Sequence, residues 1–536
     1  MKQILSLFFF LFTALSVSAQ NNQWTWVGGD NVINQPAVYG SKGVAAPANK
    51  PGARTEGNMW IDLSGNVWIF GGNLVSGIFQ NDLWKFDPST GLWTWVGGDN
   101  APFQKSTFGV RGVPASGNVP QARSRATNWT DLNGNLWLFG GVGYTASGSG
   151  YLNDLWRFTP ASGLWAWMGG DTIPVQPGVY GVRGMASSTN KPGIRAAASG
   201  AADLLGNLWL FGGQAFFNLG NTVYYNDLWK YNTTTNQWTW VSGDNITDQQ
   251  PVYGTKGMAA PSNKPGARHL STLQTDASGN VLLFGGEVKL QPAGLGNSND
   301  LWKYSPSIDQ WTWISGDNIN QQPGVYGTKG VAAAANKPGS RSAAVSWMDK
   351  SDNFWLFGGI GGFNDLWKYS LSTGLWTWVS GESTNRVSVY GTKGVSAPAN
   401  TPGNRVFAMS AKDRSDNLWL FGGDGYATSA NSGNLNDLWK FTITGSSSNA
   451  TAAPALFSVI GNPVSSLLHV NLQLPARQPL TLEVSDINGH PLISEQKTGT
   501  QGSSVYSIPV DRLSGGTYII RIRSKDVNLT KTFIKL

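Results

Sequence analysis

The chain has 536 residues and a formal net charge of +7, with no run of lysine or arginine. Charged residues make up 13%, about half the usual share, whereas the 68 glycines and 26 tryptophans suit many short strands joined by tight turns. This balance leaves no electrostatic footprint for nucleic acid. The absence of cysteine excludes disulfides, thiol nucleophiles, thiolate metal sites and a lipidated N-terminal anchor.

Residues 1–19 have the pattern of a secretory signal peptide: Lys2, an apolar stretch over 4–15, and the small-residue site Val17-Ser18-Ala19. The stretch is too short to span a bilayer comfortably, and no second apolar segment of spanning length follows. No transmembrane anchor is expected after cleavage.

From residue 22 the sequence repeats itself. Trp-x-Trp begins at Trp24, Trp93, Trp165, Trp238, Trp311 and Trp376. An apolar run closes on Phe-Gly-Gly at Gly72, Gly141, Gly213, Gly286, Gly359 and Gly423. Asn-Asp-Leu-Trp begins at Asn81, Asn153, Asn226, Asn299, Asn364 and Asn436, and an arginine precedes each Phe-Gly-Gly (Arg54, Arg123, Arg195, Arg268, Arg341, Arg405). Each unit therefore holds four strand candidates, in the first unit A over 55–62, B over 66–70, C over 82–86 and D over 93–96. Turn-rich links separate A from B and C from D. Four antiparallel strands per repeat make one propeller blade. The first Trp-x-Trp stands alone and the last unit has only A, B and C, so the first strand is expected to complete the last blade, closing the ring at six without a free sheet edge.

These repeats resemble the kelch family, whose marks are an apolar strand ending in a Gly pair and a Trp on the outermost strand roughly 20 residues later; Gly72 with Trp93 and Gly141 with Trp165 keep that spacing. The resemblance spans about residues 24–444 and implies an all-β fold, a six-bladed propeller over 22–443. The repeats run longer than the usual kelch length of about 50 residues, the excess lying in the D-to-A loop.

That loop carries its own pattern, an aromatic residue, Gly and a cation: Tyr39 with Lys42, then Arg111, Arg183, Lys256, Lys329 and Lys393 in the following units. The functional reading is a ring of six cations beside aromatic rings that gathers an anionic or sugar ligand. The favoured structural reading is that the motif folds each loop back over its own blade, because a feature present in every blade is architecture before it is a site. The D-to-A and B-to-C links emerge on one face, and this long-loop face is the candidate binding surface. Trp93 and Trp95 share a strand face and are expected to pack blade against blade. Asp82 reads as a turn or strand-edge acceptor, and the six arginines as partners of nearby carboxylates or carbonyls. Where the repeat breaks, at the start of strand A, Glu56, Arg125 and His269 are the polar departures, expected near one mouth of the channel.

Kelch propellers include galactose-oxidase-like copper enzymes, and that resemblance implies His and Tyr ligands with a Cys cross-linked to one Tyr. With no Cys, and His269 the only propeller histidine, such chemistry is excluded; zinc fails for want of ligands. The propeller has three glutamates, Glu56, Glu287 and Glu382, and no carboxylate pair of the glycosidase kind is evident. Other six-bladed kelch proteins are sialic-acid mutarotases, so a sugar-modifying site at Glu56, Arg125 and His269 is the alternative to a binding module. No cofactor is expected, and a closed single-chain ring is expected to be monomeric.

Residues 444–455 are a linker by composition. Over 456–536 tryptophan disappears and alternating strands take over, suiting a small antiparallel sandwich. Asn462-Pro463-Val464, Asp486-Ile487-Asn488-Gly489, Gly516-Thr517-Tyr518 and Lys531-Thr532-Phe533 resemble the type A sorting domain of the type IX secretion system of Bacteroidota, with Ile460-Gly461 replacing the usual aromatic-Pro. The resemblance implies export across the outer membrane by that machinery, removal of this domain, and release or attachment at the outer surface. An extracellular glycan or protein is the partner expected at the long-loop face of the propeller.

Overall fold

The computed structural model describes residues 22–74, 77–145, 148–217, 221–290, 294–384, 386–428, 431–443, 456–460, 464–474, 477–487, 490–499, 502–524 and 528–536. The signal-peptide segment, the linker, Asn462-Pro463 and Asn488-Gly489 lie outside them. The chain divides into two compact units, one reaching Thr444 and one from Gly445 onward. Among the described residues no helix is long and apolar enough to cross a membrane.

In the first unit each repeat forms one antiparallel sheet in the order A-B-C-D. The first runs Asn58–Ile61, Val67–Asn73, Phe79–Asp87 and Leu92–Gly97. The five later units repeat this plan, and Gln23–Gly28 pairs antiparallel with Ser432–Thr442 as the outer strand of the last sheet. We number the sheets as blades 1 to 6 in chain order. The ring closes through apolar packing, because six buried clusters each draw on two neighbouring sheets. Met59, Ile69 and Trp93 of blade 1 meet Met409, Trp419 and Phe421 of blade 6, and Trp24 meets Phe357 of blade 5. Core burial is thus shared between blades, and no blade can bury both its faces alone.

The strand boundaries differ from the sequence expectation in two ways. Strand A breaks just after its arginine: Thr55 bridges Asn73 and the ladder resumes only at Asn58, because Glu56 is left-handed, with φ of 58°. Strand B continues through the Gly pair to Asn73, with a register shift between Phe70 and Gly72, and in blades 2, 4 and 6 it runs on into a longer B-C hairpin. The Gly pair is sterically required there. A Cβ on Gly71 would meet the Arg123 carbonyl of the next blade at 2.9 Å, and one on Gly72 the Thr55 carbonyl at 2.7 Å.

Each strand-A arginine is fully buried in a bidentate pair with the Asp of Asn-Asp-Leu-Trp, as in Arg54 Nη1 and Nη2 with Asp82 at 2.6 and 2.8 Å. The same guanidinium donates to the Gly71 carbonyl at 3.0 Å. Asp82 is therefore the counter-ion of the arginine, in addition to its place in a strand. Trp93 packs on Phe421 of the neighbouring blade at 5.8 Å, as the shared-face argument requires, while Trp95 is half-buried under the long loop.

The second unit is a two-sheet antiparallel arrangement. One sheet holds Leu456–Ile460, Leu467–Leu474 and Gly502–Pro509; the other holds Pro491–Gly499, Gln478–Ser485, Gly516–Arg523 and Asn528–Lys535. Alternate residues Leu468, Val470 and Leu472 from one sheet and Leu480, Leu482, Val484, Ile520 and Ile522 from the other share one buried core, the period-two pattern of a sandwich.

Candidate functional site

The residue two after each arginine lines the central channel: Glu56, Arg125, Ala197, Leu270, Ala343 and Phe407, all left-handed with φ between 52° and 58°. Each of these residues donates its N–H to the carbonyl of its counterpart in the preceding blade, from Arg125 to Glu56 at 2.9 Å round to Glu56 back to Phe407 at 3.1 Å. Six such bonds form a closed annulus. A non-glycine residue in this region costs about 1 kcal/mol or more, and the annulus holds all six there.

Inside it Arg125 donates through Nε to Glu56 Oε1 at 2.7 Å, with Nη2 at 2.6 Å from the same oxygen, and its guanidinium lies 5.6 Å from the Phe407 ring. Burial works against the Arg125 charge, but the Glu56 hydrogen bond and charge outweigh it and hold the guanidinium above its ordinary range. A cavity of about 140 Å³ remains, lined mainly by small side chains. Two of the three polar departures are therefore brought together, and they neutralise one another.

His269 is not with them. It follows Arg268 directly and so points away from the position that lines the channel, which Leu270 takes. Its Nε2 lies 2.7 Å from Glu287 Oε2, its ring packs on Tyr224 at 5.1 Å, and its buried Nδ1 has no partner among the described residues. The expectation of one cluster of Glu56, Arg125 and His269 is corrected in this respect: alternation along the strand places His269 in a different tier.

That tier extends across blades. The residue following each Gly pair (Asn73, Val142, Gln214, Glu287, Ile360, Asp424) has no common chemistry. Gln214 Nε2 donates to the Tyr151 hydroxyl of blade 2 at 3.0 Å. Tyr224, opposite Gln214 in the hairpin, lies within electrostatic reach of Glu287, Asp248 and Tyr151, and burial followed by these groups raises its hydroxyl pKa. Tyr151 in turn acts on Arg125. The hydrogen bond from His269 holds Glu287 below the usual glutamate range, against its partial burial. Asp424, half-buried and without a partner among the described residues, is pushed up by burial. Sequence reasoning passed over Tyr151, Gln214, Tyr224, Glu287 and Asp424 as site residues. For Gln214, Glu287 and Asp424 the signal was present in the variable position after an otherwise invariant Phe-Gly-Gly.

The repeated cations have other work. Among the described residues the first limb of five of the six D-to-A loops crosses the B-C hairpin of the preceding repeat, as where Phe103 donates to the Phe79 carbonyl and Asp248 to the Tyr224 carbonyl. The second limb folds as a small hairpin, Val38 bridging Lys50, and its tip pairs with strand D at Trp93. There Lys42 donates to the Gly98 carbonyl at 2.7 Å, with Nζ 4.3 Å from the Trp95 ring. Lys256, Lys329 and Lys393 stack on Trp313, Trp378 and Trp26. Arg111 and Arg183 donate to the Met168 and Val241 carbonyls at 2.9 Å. Tyr39 donates to Asp82 at 2.9 Å, capping the buried ion pair, and burial followed by that charge drives its hydroxyl pKa up. These residues clasp the loop to the outer edge of its blade.

Sheets built on this repeat define a β-propeller of kelch repeats. Residues 41–242 match the KLHDC2/KLHL20/DRC7 Kelch-repeats domain, and residues 458–536 match the secretion system C-terminal sorting domain. The chain is a kelch propeller with a type IX sorting tail, which directs it to the cell surface or beyond. The solved structure of YjhT is similar to it at 14% identity and a TM-score of 0.45, over 76% of this chain and 98% of that one. No curated protein is significantly similar.

Proposed function

We propose that the propeller is an extracellular binding module that takes up a glycan or protein through its long-loop face. The reading rests on one observation: residues repeated in every blade are consumed by blade architecture, whereas the polar groups that break the repeat gather on the B-C hairpin side, from Arg125 through Tyr151, Gln214 and Tyr224 to His269 and Glu287. A rigid ring presenting dissimilar side chains on one set of loops is how scaffolds of this kind carry recognition. Glu56 and Arg125, locked in an ion pair, line the channel.

The test replaces the hairpin over 214–224 in the full chain with the short turn that blade 5 uses at 360–362, Tyr225 keeping the place that Phe363 has there. Binding of a surface glycan or extracellular protein should be lost while the melting temperature stays near that of the parent. Retained binding would place the interface elsewhere.

A further inference from the structure

The hairpin formed by Gln214–Phe216 and Thr222–Tyr224 has two unlike faces. Ala215 and Val223, paired across it, turn into a buried cluster with Ile194 and Tyr225. Phe216, Tyr224 and Gln214 lie on the other face, since opposed and alternate residues of an antiparallel pair share a side. Phe216 is 42% exposed, and the half-buried Tyr224, with His269 against its ring at 5.1 Å, lies within electrostatic reach of the Glu287 carboxylate, whose side chain is 31% exposed. The nearby charges do not balance. Arg125 is neutralised by Glu56 at 2.6 Å and Lys289 faces Asp248 at 3.6 Å. Among the described residues Glu287 has only the buried His269 as an ion-pair partner. The surface is thus aromatic, rich in hydrogen-bond acceptors and locally negative.

Aromatic rings with acceptor carboxylates suit a ring that has apolar C–H faces and outward hydroxyl donors. The negative balance disfavours an acidic ligand. We propose that this face binds a neutral pyranose, its C–H face against Tyr224 and Phe216 and its hydroxyls donating to Glu287, with the Tyr151–Gln214 pair bordering the site. The inference rests on the reading of the propeller as a binding module and narrows it to one sugar class and one hairpin.

The test uses the full chain on a biosensor against neutral gluco-, manno- and galacto-configured oligosaccharides, and against uronic-acid and sialylated ones. Tyr224→Ala and Glu287→Gln are run beside the parent. Saturable binding of a neutral oligosaccharide is expected, weakened about tenfold or more by each substitution with melting temperatures unchanged. Preference for acidic sugars would overturn the ligand class. Neutral-sugar binding indifferent to both substitutions would overturn the site and leave the module reading standing. If the folded protein binds no sugar, the proposal fails. The module reading then depends on whether a protein partner is lost when the hairpin is replaced.

Discussion

Removing the Asp82 carboxylate should be among the most damaging single changes in the propeller. Asp82 accepts from Arg54 Nη1 and Nη2 at 2.6 and 2.8 Å, from the Tyr39 hydroxyl at 2.9 Å and from Trp84 Nε1 at 2.8 Å. Neither Arg54 nor Asp82 has side-chain exposure above 0%. Burial opposes the Arg54 charge, yet Asp82 holds its pKa above the ordinary range, so Asp82→Ala strands a full positive charge and leaves the Tyr39 and Trp84 donors unpaired. Breaking a buried pair from one side costs about 3–5 kcal/mol. Tyr39→Phe, which deletes one bond to a charged acceptor, should cost about 1.5–3 kcal/mol. Replacing both charges with apolar groups, as in Arg54→Met with Asp82→Leu, removes the uncompensated charge and should recover much of the loss. Urea denaturation of the full chain followed by tryptophan fluorescence reads the propeller transition. An Asp82→Ala loss below about 1 kcal/mol, or a double variant as damaged as the sum of its singles, would refute the argument.

Three further outcomes follow from the geometry. Trp24→Ala should cost about 3–5 kcal/mol, because Trp24 is 2% exposed and packs on Phe357 and Phe441 across the closure; an unchanged urea midpoint would mean that this strand does not hold the ring. Gly72→Ala should destabilise by about 1–3 kcal/mol, since φ is 98° and its Cβ would meet backbone at 2.7 Å; equal denaturation midpoints would contradict it. Asp424 has a folded-state pKa raised by burial above 3.8. Its contribution to stability is present below that unfolded value and lost as pH rises through the folded one. Asp424→Asn should therefore melt higher than the parent at neutral pH and level with it at pH about 3, and a gain that is the same at both pH values would show that ionisation is not the cause.

The repeat itself carried most of the architecture. Spacing between Arg54, Gly72, Asn81 and Trp93, recurring along the chain, was enough to count sheets, order their strands and foresee that Trp24 joins the last one, because each repeat must bury both its faces against like neighbours. The clasping role of Lys42 and its counterparts was also legible, since a residue repeated in every blade answers to the blade. What the sequence could not supply was the arrangement of the exceptions. Glu56, Arg125 and His269 look alike as polar departures after an arginine, yet a one-residue offset on a strand puts Glu56 and Arg125 into the channel and His269 beside Glu287. Tyr151, Gln214, Tyr224 and Glu287 come from three blades and lie up to 136 residues apart in sequence. Only ring closure, with its annulus of hydrogen bonds and shared inter-blade cores, brings them onto one face, and pairwise distance between distant repeats is a property of the closed ring.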